Sequence, residues 1–596
     1  MTYQAPLREF RFVLDDVLAI GRYANLPGFS DATPDVVGAI LEEGAKISEE
    51  VLAPLNESGD REGCTYNPSD HSVTTPQGFR EAYRTYAEGG WIGLSADPEF
   101  GGQGLPAVLS LAFNEMVVAA NWSFAMYPGL SHGAYSALHI HGTEEQKATY
   151  LPKLVSGEWS GTMNLTEPHC GTDLGLMRTR AEPQEDGSYK LTGTKIWISS
   201  GEHDFTSNVI HLVLAKIPGG PEGIKGVSLF VVPKYLVNPD GSSGERNAVY
   251  CGGLEEKMGI HANATCVINY EGATGWLVGE EHKGMRAMFT MMNAARLGVG
   301  LQGLAISEVA YQNALAFARE RLQGRALTGP ARPDKPADPI IVHPDVRRML
   351  MDIKTFNEGA RTLVLWTGLW GDLLLKSDDP SVRQKADDYM ALMTPVIKAY
   401  CTDQGFYNAV TAQQVLGGAG FVKDYPLEQF VRDSRIGMIY EGTNGIQALD
   451  LVGRKLMQNN GRAVTAFFAD VDNFIAENRG DKDLKPALDV LADTTGKARE
   501  ATEWLAKYAL TDFNHAGAAA TDYLYLMAYA SLSWMWALTE KTARDRLADG
   551  GDPAFYKAKL KTSRYFRERV LPAAGMHLAR LTSGAEPVMA LAEDEF

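Results

Sequence analysis

The hydrophobic period changes twice along this chain, and those changes limit its fold more than any other feature. From about residue 158 to 280 apolar residues alternate at period two. The alternation is clearest in Lys190-Leu191-Thr192-Gly193-Thr194-Lys195-Ile196-Trp197-Ile198-Ser199, behind the hairpin signal Glu185-Asp186-Gly187-Ser188. Val209 to Lys216 and Val227 to Val232 read as further strands, with a turn at Pro239-Asp240-Gly241. On either side the spacing is helical, as in Leu297, Leu301, Leu304, Tyr311, Leu315, Ala318 and Leu322. The fold class expected is mainly α with a central β domain. Four segments follow: an N-terminal helical domain over 1–157, a middle β domain over 158–280, a helical bundle over 281–460 and a further helical domain over 461–596.

Within the first segment, Pro34 to Ala53 and Gly78 to Gly90 are expected helices, separated by a loop from Pro54 to Pro76. Phe100-Gly101-Gly102-Gln103-Gly104-Leu105-Pro106 is a turn that releases an apolar helix over Ala107 to Ala120. Thr143 caps another, with acidic residues in its first turn. Five prolines (Pro330, Pro333, Pro336, Pro339, Pro344) mark a loop before helices over about Asp345 to Lys376 and Ser381 to Leu416. Past 460, Trp504, Tyr508, Trp534, Trp536 and Leu571 are expected core residues.

Composition excludes some functions. With 596 residues, 45% hydrophobic and 22% charged, the chain is globular and long for one core. A formal charge of −18 argues against nucleic-acid binding, which needs an excess of Lys and Arg. The five cysteines (Cys64, Cys170, Cys251, Cys266, Cys401) lack CxxC spacing and fit reduced thiols in the cytoplasm, with no metal site. No signal peptide is visible in Met1 to Phe10. The uncharged run Tyr523 to Thr539 falls short of the roughly 20 apolar residues of a membrane span.

Met438-Ile439-Tyr440-Glu441-Gly442-Thr443-Asn444-Gly445-Ile446-Gln447 places one carboxylate in a Gly/Thr/Asn-rich break between helices. A carboxylate among apolar neighbours can accept a proton. Taken alone, the same residues are an ordinary capped turn between helices.

Motifs elsewhere decide between those readings. Met163-Asn164-Leu165-Thr166-Glu167-Pro168-His169-Cys170-Gly171-Thr172-Asp173 resembles the flavin loop of the acyl-CoA dehydrogenase family. Five further stretches agree in order and spacing: Phe100-Gly101-Gly102; Lys195-Ile196-Trp197-Ile198-Ser199; Arg319-Glu320-Arg321; Gln414-Val415-Leu416-Gly417-Gly418-Ala419-Gly420-Phe421; and Tyr440-Glu441-Gly442-Thr443. The tail, with Ser583-Gly584-Ala585-Glu586-Pro587-Val588-Met589, is similar to the extra domain of long-form members.

This resemblance implies an N-terminal helical domain, a middle β domain, a C-terminal four-helix bundle and an added helical domain. It implies FAD as cofactor and α,β-dehydrogenation of an acyl-CoA thioester, with Glu441 as base and Tyr440 against the acyl chain. The enolate oxygen would be held by the Glu441 amide and a flavin ribityl hydroxyl, as in an oxyanion hole. Met163, Leu165, Thr166, Thr172, Trp197 and Ser199 are the implied flavin contacts, although a strand Trp is by default core packing. Arg321, Gln414, Gly418 and Thr443 match positions that hold the diphosphate and adenosine, and Arg296 matches one near CoA. The implied partners are an electron-transferring flavoprotein and a second copy in a homodimer.

Three places depart from the pattern. Gly445 replaces a common Gln, Leu322-Gln323-Gly324-Arg325 replaces a longer Thr-Phe-Gly form, and His169-Cys170 replaces a small pair. Trp122, Phe124, Met126, Tyr127 and Pro128 are bulky where longer pockets are open. Either Phe124 and Tyr127 line a short acyl pocket of about four-carbon reach, or they fill a helix interface. Subgroup resemblance favours 3-methylmercaptopropionyl-CoA as substrate. A dehydrogenase for longer chains, an acyl-CoA oxidase and a DNA-binding alkylation-response relative are the alternatives.

Overall fold

The computed structural model describes residues 3–596, apart from the side chains of residues 293 and 294; Met1 and Thr2, where the first expected segment begins, lie outside it. By contacts between residues the chain gathers into two compact units. The first comprises Glu43–Leu105 and Met116–Gly298; the second comprises residues 3–42, Pro106–Glu115 and Val299–Phe596. Three of the four boundaries fall inside the helices Pro34–Lys46, Ala107–Ala120 and Gly284–Glu320. Linker composition therefore does not mark those three.

The first unit is built on a seven-stranded sheet. Its strands run Val249–Leu254, Thr265–Val278, Tyr189–Ser199, Arg180–Pro183, Asn208–Lys216 and Trp159–Asn164, and Val227–Pro233 joins Thr265–Val278 to Asn208–Lys216. Asn208–Lys216 has partners on both sides and is apolar nearly throughout, as a strand without a solvent face requires. Helix Trp122–His141 packs on Trp159–Asn164 so closely that a Cβ at Gly161 would lie 2.3 Å from the Ala134 methyl. Thr143 caps helix Glu144–Ser156 in a full capping box: its hydroxyl accepts from Gln146 N at 3.2 Å and Gln146 Oε1 accepts from Thr143 N at 3.1 Å. The expected loop from Pro54 to Pro76 instead holds helix Pro54–Glu62 and a hairpin of Thr65–Asn67 with Ser72–Thr74. Pro54 opens that helix, where a missing N–H costs nothing.

The second unit packs long helices, among them Pro344–Lys376, Pro380–Leu416 and Phe513–Ala548, with the part of Gly284–Glu320 that follows residue 298. Two of these backbones meet where Gly303 faces Gly405. A Cβ on Gly303 would lie 2.2 Å from Cys401 O, and one on Gly405 2.3 Å from Gly303 O. Gly405→Ala is expected to cost about 1 to 3 kcal/mol, because backbone atoms cannot rotate aside as side chains do. Calorimetry would show a lowered thermal midpoint; an unchanged one would mean that the helices part freely.

Arg361, only 1% exposed, ties this unit together. Its Nε donates to Glu115 Oε1 at 2.9 Å and its Nη2 to Glu308 Oε2 at 3.0 Å. The five-proline loop is ordered around Asp338, which accepts from the backbone N–H groups of Ala326 (2.9 Å), Ala331 (3.0 Å) and Arg332 (2.7 Å). Those bonds hold its carboxyl down at about 2. In the tail, Trp534, Trp536 and Leu571 are core residues as expected, whereas Trp504 and Tyr508 are half-buried. Trp534 meets the rings of Trp366 and Phe467 at 5.5 and 5.7 Å. No helix among the described residues is long and apolar enough to cross a membrane.

Candidate active site

In the first unit the loop after strand Trp159–Asn164 is anchored by a buried ion pair. Lys195 Nζ donates to Glu167 Oε1 and to Leu165 O, both at 2.9 Å, and both charged side chains are at most 3% exposed. Glu167 also accepts from Arg178 N at 2.7 Å and Thr179 N at 3.0 Å. Burial raises its carboxyl, but the Lys195 charge and these bonds outweigh burial and hold it at about 2. With Ile196 N donating to Thr166 O at 2.9 Å, the loop is fastened to strand Tyr189–Ser199. It therefore presents a fixed edge. Met163, Leu165 and Thr166 lie half-buried on it and Thr172 is exposed.

Trp197 is placed by a β-bulge. Along its strand Tyr189, Leu191 and Lys195 point inward, so strict alternation would bury Trp197 too. Opposite strand Thr265–Val278 pairs Cys266 with Ile198 but Ile268 with Lys195, leaving two residues against one. Trp197 takes the left-handed conformation at φ 60°, the inward parity passes to Ile198, and the indole stands 61% exposed. A large exposed ring on a non-glycine left-handed backbone is strained as well as solvated, a combination that points to a ligand. Neighbouring Ser199 is half-buried, with its carbonyl accepting from Thr162 Oγ1 at 2.9 Å.

The second unit carries Glu441. Residues 435–438 form a single helical turn, after which Glu441 and Gly442 turn left-handed at φ 58° and 82°. Thr443 then caps helix Asn444–Asp450, its hydroxyl accepting from Ile446 N at 3.3 Å. The capped turn is thus present, and it is also strained at its carboxylate. A left-handed Glu costs about 1 to 2 kcal/mol and persists only where surroundings impose it.

Three side chains do so. Gln447, fully buried, donates through Nε2 to Glu441 O at 3.0 Å and Gly442 O at 3.2 Å. Lys398, also fully buried, donates to Gly442 O and to Asn444 Oδ1, both at 2.8 Å. Tyr440, half-buried, hydrogen-bonds Gln302. None of Gln447, Lys398 and Gln302 was singled out in the sequence. Lys398 gives the best signal, as the lone charge in Met390-Ala391-Leu392-Met393-Thr394-Pro395-Val396-Ile397-Lys398-Ala399-Tyr400-Cys401, where a buried ammonium must be paired.

The same unit holds a second group of matched positions. Gln414 and Gly418 are exposed at the end of helix Pro380–Leu416, where Gly417 turns at φ 60° and a Cβ on either glycine would meet nothing within 4 Å. Arg321 is exposed just past helix Gly284–Glu320, its carbonyl accepting from Ile340 N at 2.8 Å. Gly445 also faces open space, so the missing side chain there is not excluded by crowding.

Phe124 and Tyr127 are buried in the first unit. Phe124 sits among the rings of Phe79, Tyr83 and Tyr86. Tyr127 donates to Ala262 O at 3.1 Å, accepts from Ala264 N at 3.0 Å and meets the edges of His203 and Phe205. Arg296 is 6% exposed, its guanidinium 5.9 Å from the Phe289 ring centroid.

Family models match nearly the whole chain: acyl-CoA dehydrogenase N-terminal domain over 39–158, middle domain over 162–273, C-terminal domain over 282–457, and acetyl-CoA dehydrogenase C-terminal like over 467–592. The chain belongs to the acyl-CoA dehydrogenase family. As a member it is an oxidoreductase of a family that uses FAD. It is 41% identical to the 3-methylmercaptopropionyl-CoA dehydrogenase of Ruegeria pomeroyi over 590 residues, 99% of each chain. It is 35% identical to the broad-specificity linear acyl-CoA dehydrogenase FadE5 of Mycobacterium tuberculosis over 96% of each. The FAD-complexed acyl-CoA dehydrogenase of Bacillus anthracis shares its fold, with a TM-score of 0.71 at 21% identity over 92% of this chain and 88% of that one.

Proposed function

We propose that this acyl-CoA dehydrogenase oxidises a short acyl-CoA, with 3-methylmercaptopropionyl-CoA the favoured substrate, and that Glu441 takes the α proton. The observation that carries the proposal is the Glu441 turn: a carboxylate on a left-handed backbone, clamped at its own carbonyl and the next by Gln447 and Lys398. Such preorganisation is what proton abstraction from a weak carbon acid requires. The Glu441 carboxylate would take the α proton, and the electron pair of that C–H bond would form the new α,β double bond as the β hydride departs. The Glu441 amide would stabilise the thioester oxygen as negative charge develops there. Tyr440 would bound the acyl chain.

The residues present fit FAD. Trp197 offers an exposed ring for stacking, and the Thr166 and Ser199 hydroxyls offer polar groups on the same fastened edge. Met163, Leu165 and Thr172 complete that side. Arg321 suits a diphosphate through its planar fork, while Gln414, Gly418 and Thr443 would meet the rest of the dinucleotide. FAD, when bound, supplies a two-electron acceptor for the hydride. We infer an electron-transferring flavoprotein as the next acceptor and a homodimer as the working form. The five free cysteines fit a reducing cytoplasm.

With Phe124 and Tyr127 in the core, substrate size rests on the Ruegeria relative, and the broad-specificity mycobacterial relative supports a second reading, a wide range of linear chains. Anaerobic titration of the yellow protein with an acyl-CoA panel distinguishes them. Butyryl-CoA and 3-methylmercaptopropionyl-CoA are expected to bleach the flavin fastest; dodecanoyl-CoA or longer chains turning over best would overturn the short-chain reading.

A further inference from the structure

The clamp on Glu441 continues into the last part of the chain. Asn444, which accepts from Lys398, donates through Nδ2 to Asp403 Oδ1 at 2.7 Å and to Thr402 Oγ1 at 3.0 Å. The other oxygen of Asp403 accepts from Tyr525 Oη at 2.8 Å, across 122 residues of sequence. Tyr525 lies on helix Phe513–Ala548, and its ring is held on both sides. His577 stacks on it at 4.8 Å with 29° between planes, and Tyr400 meets it edge-on at 5.3 Å. His577 is fixed in turn by Asp522, 2.7 Å from its Nδ1. An unbroken series of bonds thus runs from the tail helices to the Gly442 carbonyl, beside the strained Glu441.

We infer that Tyr525 is a positioning residue for Glu441, acting through Asp403, Asn444 and Lys398. This rests on the reading of Glu441 as base. The physical argument concerns geometry. Asp403 has one oxygen for Asn444 and one for Tyr525, so both bonds together fix its rotation. That rotation, with Thr402 Oγ1 at 3.0 Å and Ala399 O at 3.2 Å, sets the Asn444 amide, whose oxygen shares the Lys398 ammonium with Gly442 O. Loss of the Tyr525 hydroxyl frees Asp403 to turn, Lys398 follows Asn444, and the left-handed pair 441–442 loses part of what opposes its strain. The helices past residue 460 would then serve catalysis by holding the base in its reacting position.

The test uses the full-length, FAD-loaded enzyme and the best acyl-CoA of the panel, with flavin reduction followed anaerobically by stopped flow. Tyr525→Phe is expected to lower the limiting reduction rate about tenfold or more, since displacements near 1 Å at a reacting group have effects of that order. The acyl-CoA dissociation constant should stay within about twofold, which a general loss of structure would not spare. Tyr523→Phe is the control. It lies on the same helix, and its hydroxyl bonds Thr502 at 2.9 Å instead, so its rate should match wild type. Should Tyr525→Phe not fold, Asn444→Ala breaks the series on the other side of Asp403 and must give the same split between rate and binding. A wild-type rate in Tyr525→Phe, or rate and binding falling together in it and in Asn444→Ala, overturns the inference while leaving Glu441 as base. Wild-type reduction by Glu441→Gln would overturn both.

Discussion

Glu441→Gln is expected to retain FAD and acyl-CoA binding yet reduce its flavin at least about a thousandfold more slowly than wild type. The substitution preserves side-chain size and the left-handed backbone, so Gln447 and Lys398 keep their carbonyl bonds to residues 441 and 442. The neutral amide, however, cannot take a proton from carbon. Anaerobic stopped flow measures this directly, alongside the FAD content and thermal midpoint of the variant. Bleaching at the wild-type rate would mean that another group is the base. A lower rate with lost FAD would instead show that the turn, not the proton acceptor, had been damaged.

The second large effect is on stability. Arg361 is enclosed with Glu115 and Glu308, and Asn357 adds a further donor to Glu308 Oε2 at 3.1 Å. Arg361→Met keeps much of the side-chain volume and removes the charge between two buried carboxylates. Breaking a buried pair in this way typically costs about 3 to 5 kcal/mol, because the remaining charge has no compensation. The loss should depend on pH. Burial raises the Glu115 carboxyl to about 7 even with Arg361 opposing that rise. Without the guanidinium it rises further. A carboxyl whose folded pKa lies above its unfolded value contributes stability at pH values below the unfolded one, and that contribution is lost as pH rises through the folded value. Below pH about 7 both proteins carry this carboxyl protonated, so the gap in thermal midpoint between Arg361→Met and wild type should be flat there and widen as pH rises above about 7. A gap that stays constant above pH about 7 would show that Glu115 does not carry the pH dependence.

Much of the fold was legible because secondary structure is written in local period. The strands Tyr189–Ser199, Asn208–Lys216 and Val227–Pro233 and the helices Ala107–Ala120, Pro344–Lys376 and Pro380–Leu416 lie where alternation or helical spacing puts them. Helix Pro54–Glu62 was missed since Asn, Ser, Gly and Asp within it are turn formers, overridden here by packing that includes Gly59 against Phe79. The division into two units rests on contacts between segments far apart in sequence. Residues 3–42 belong with the C-terminal helices, as the ion pairs of buried Lys559 with Glu9 and Glu358 illustrate. Such pairings depend on closeness in space, for which one sequence offers no signal.

By itself the sequence determined the alternation of helical and β segments, the cap at Thr143, and the motifs that place the chain among the acyl-CoA dehydrogenases. Each is a short-range pattern, set by side chains within a few residues of one another. Only the tertiary structure decided which way Trp197 faces, since alternation would bury it and a bulge against Cys266–Ile268 turns it out. It also decided that Phe124 and Tyr127 are core, and that Glu441 sits on a left-handed backbone held from Lys398, Gln447 and, through Asp403, Tyr525. A residue type states what chemistry is available; its orientation and strain are set by partners distant in sequence, which only the folded chain brings together.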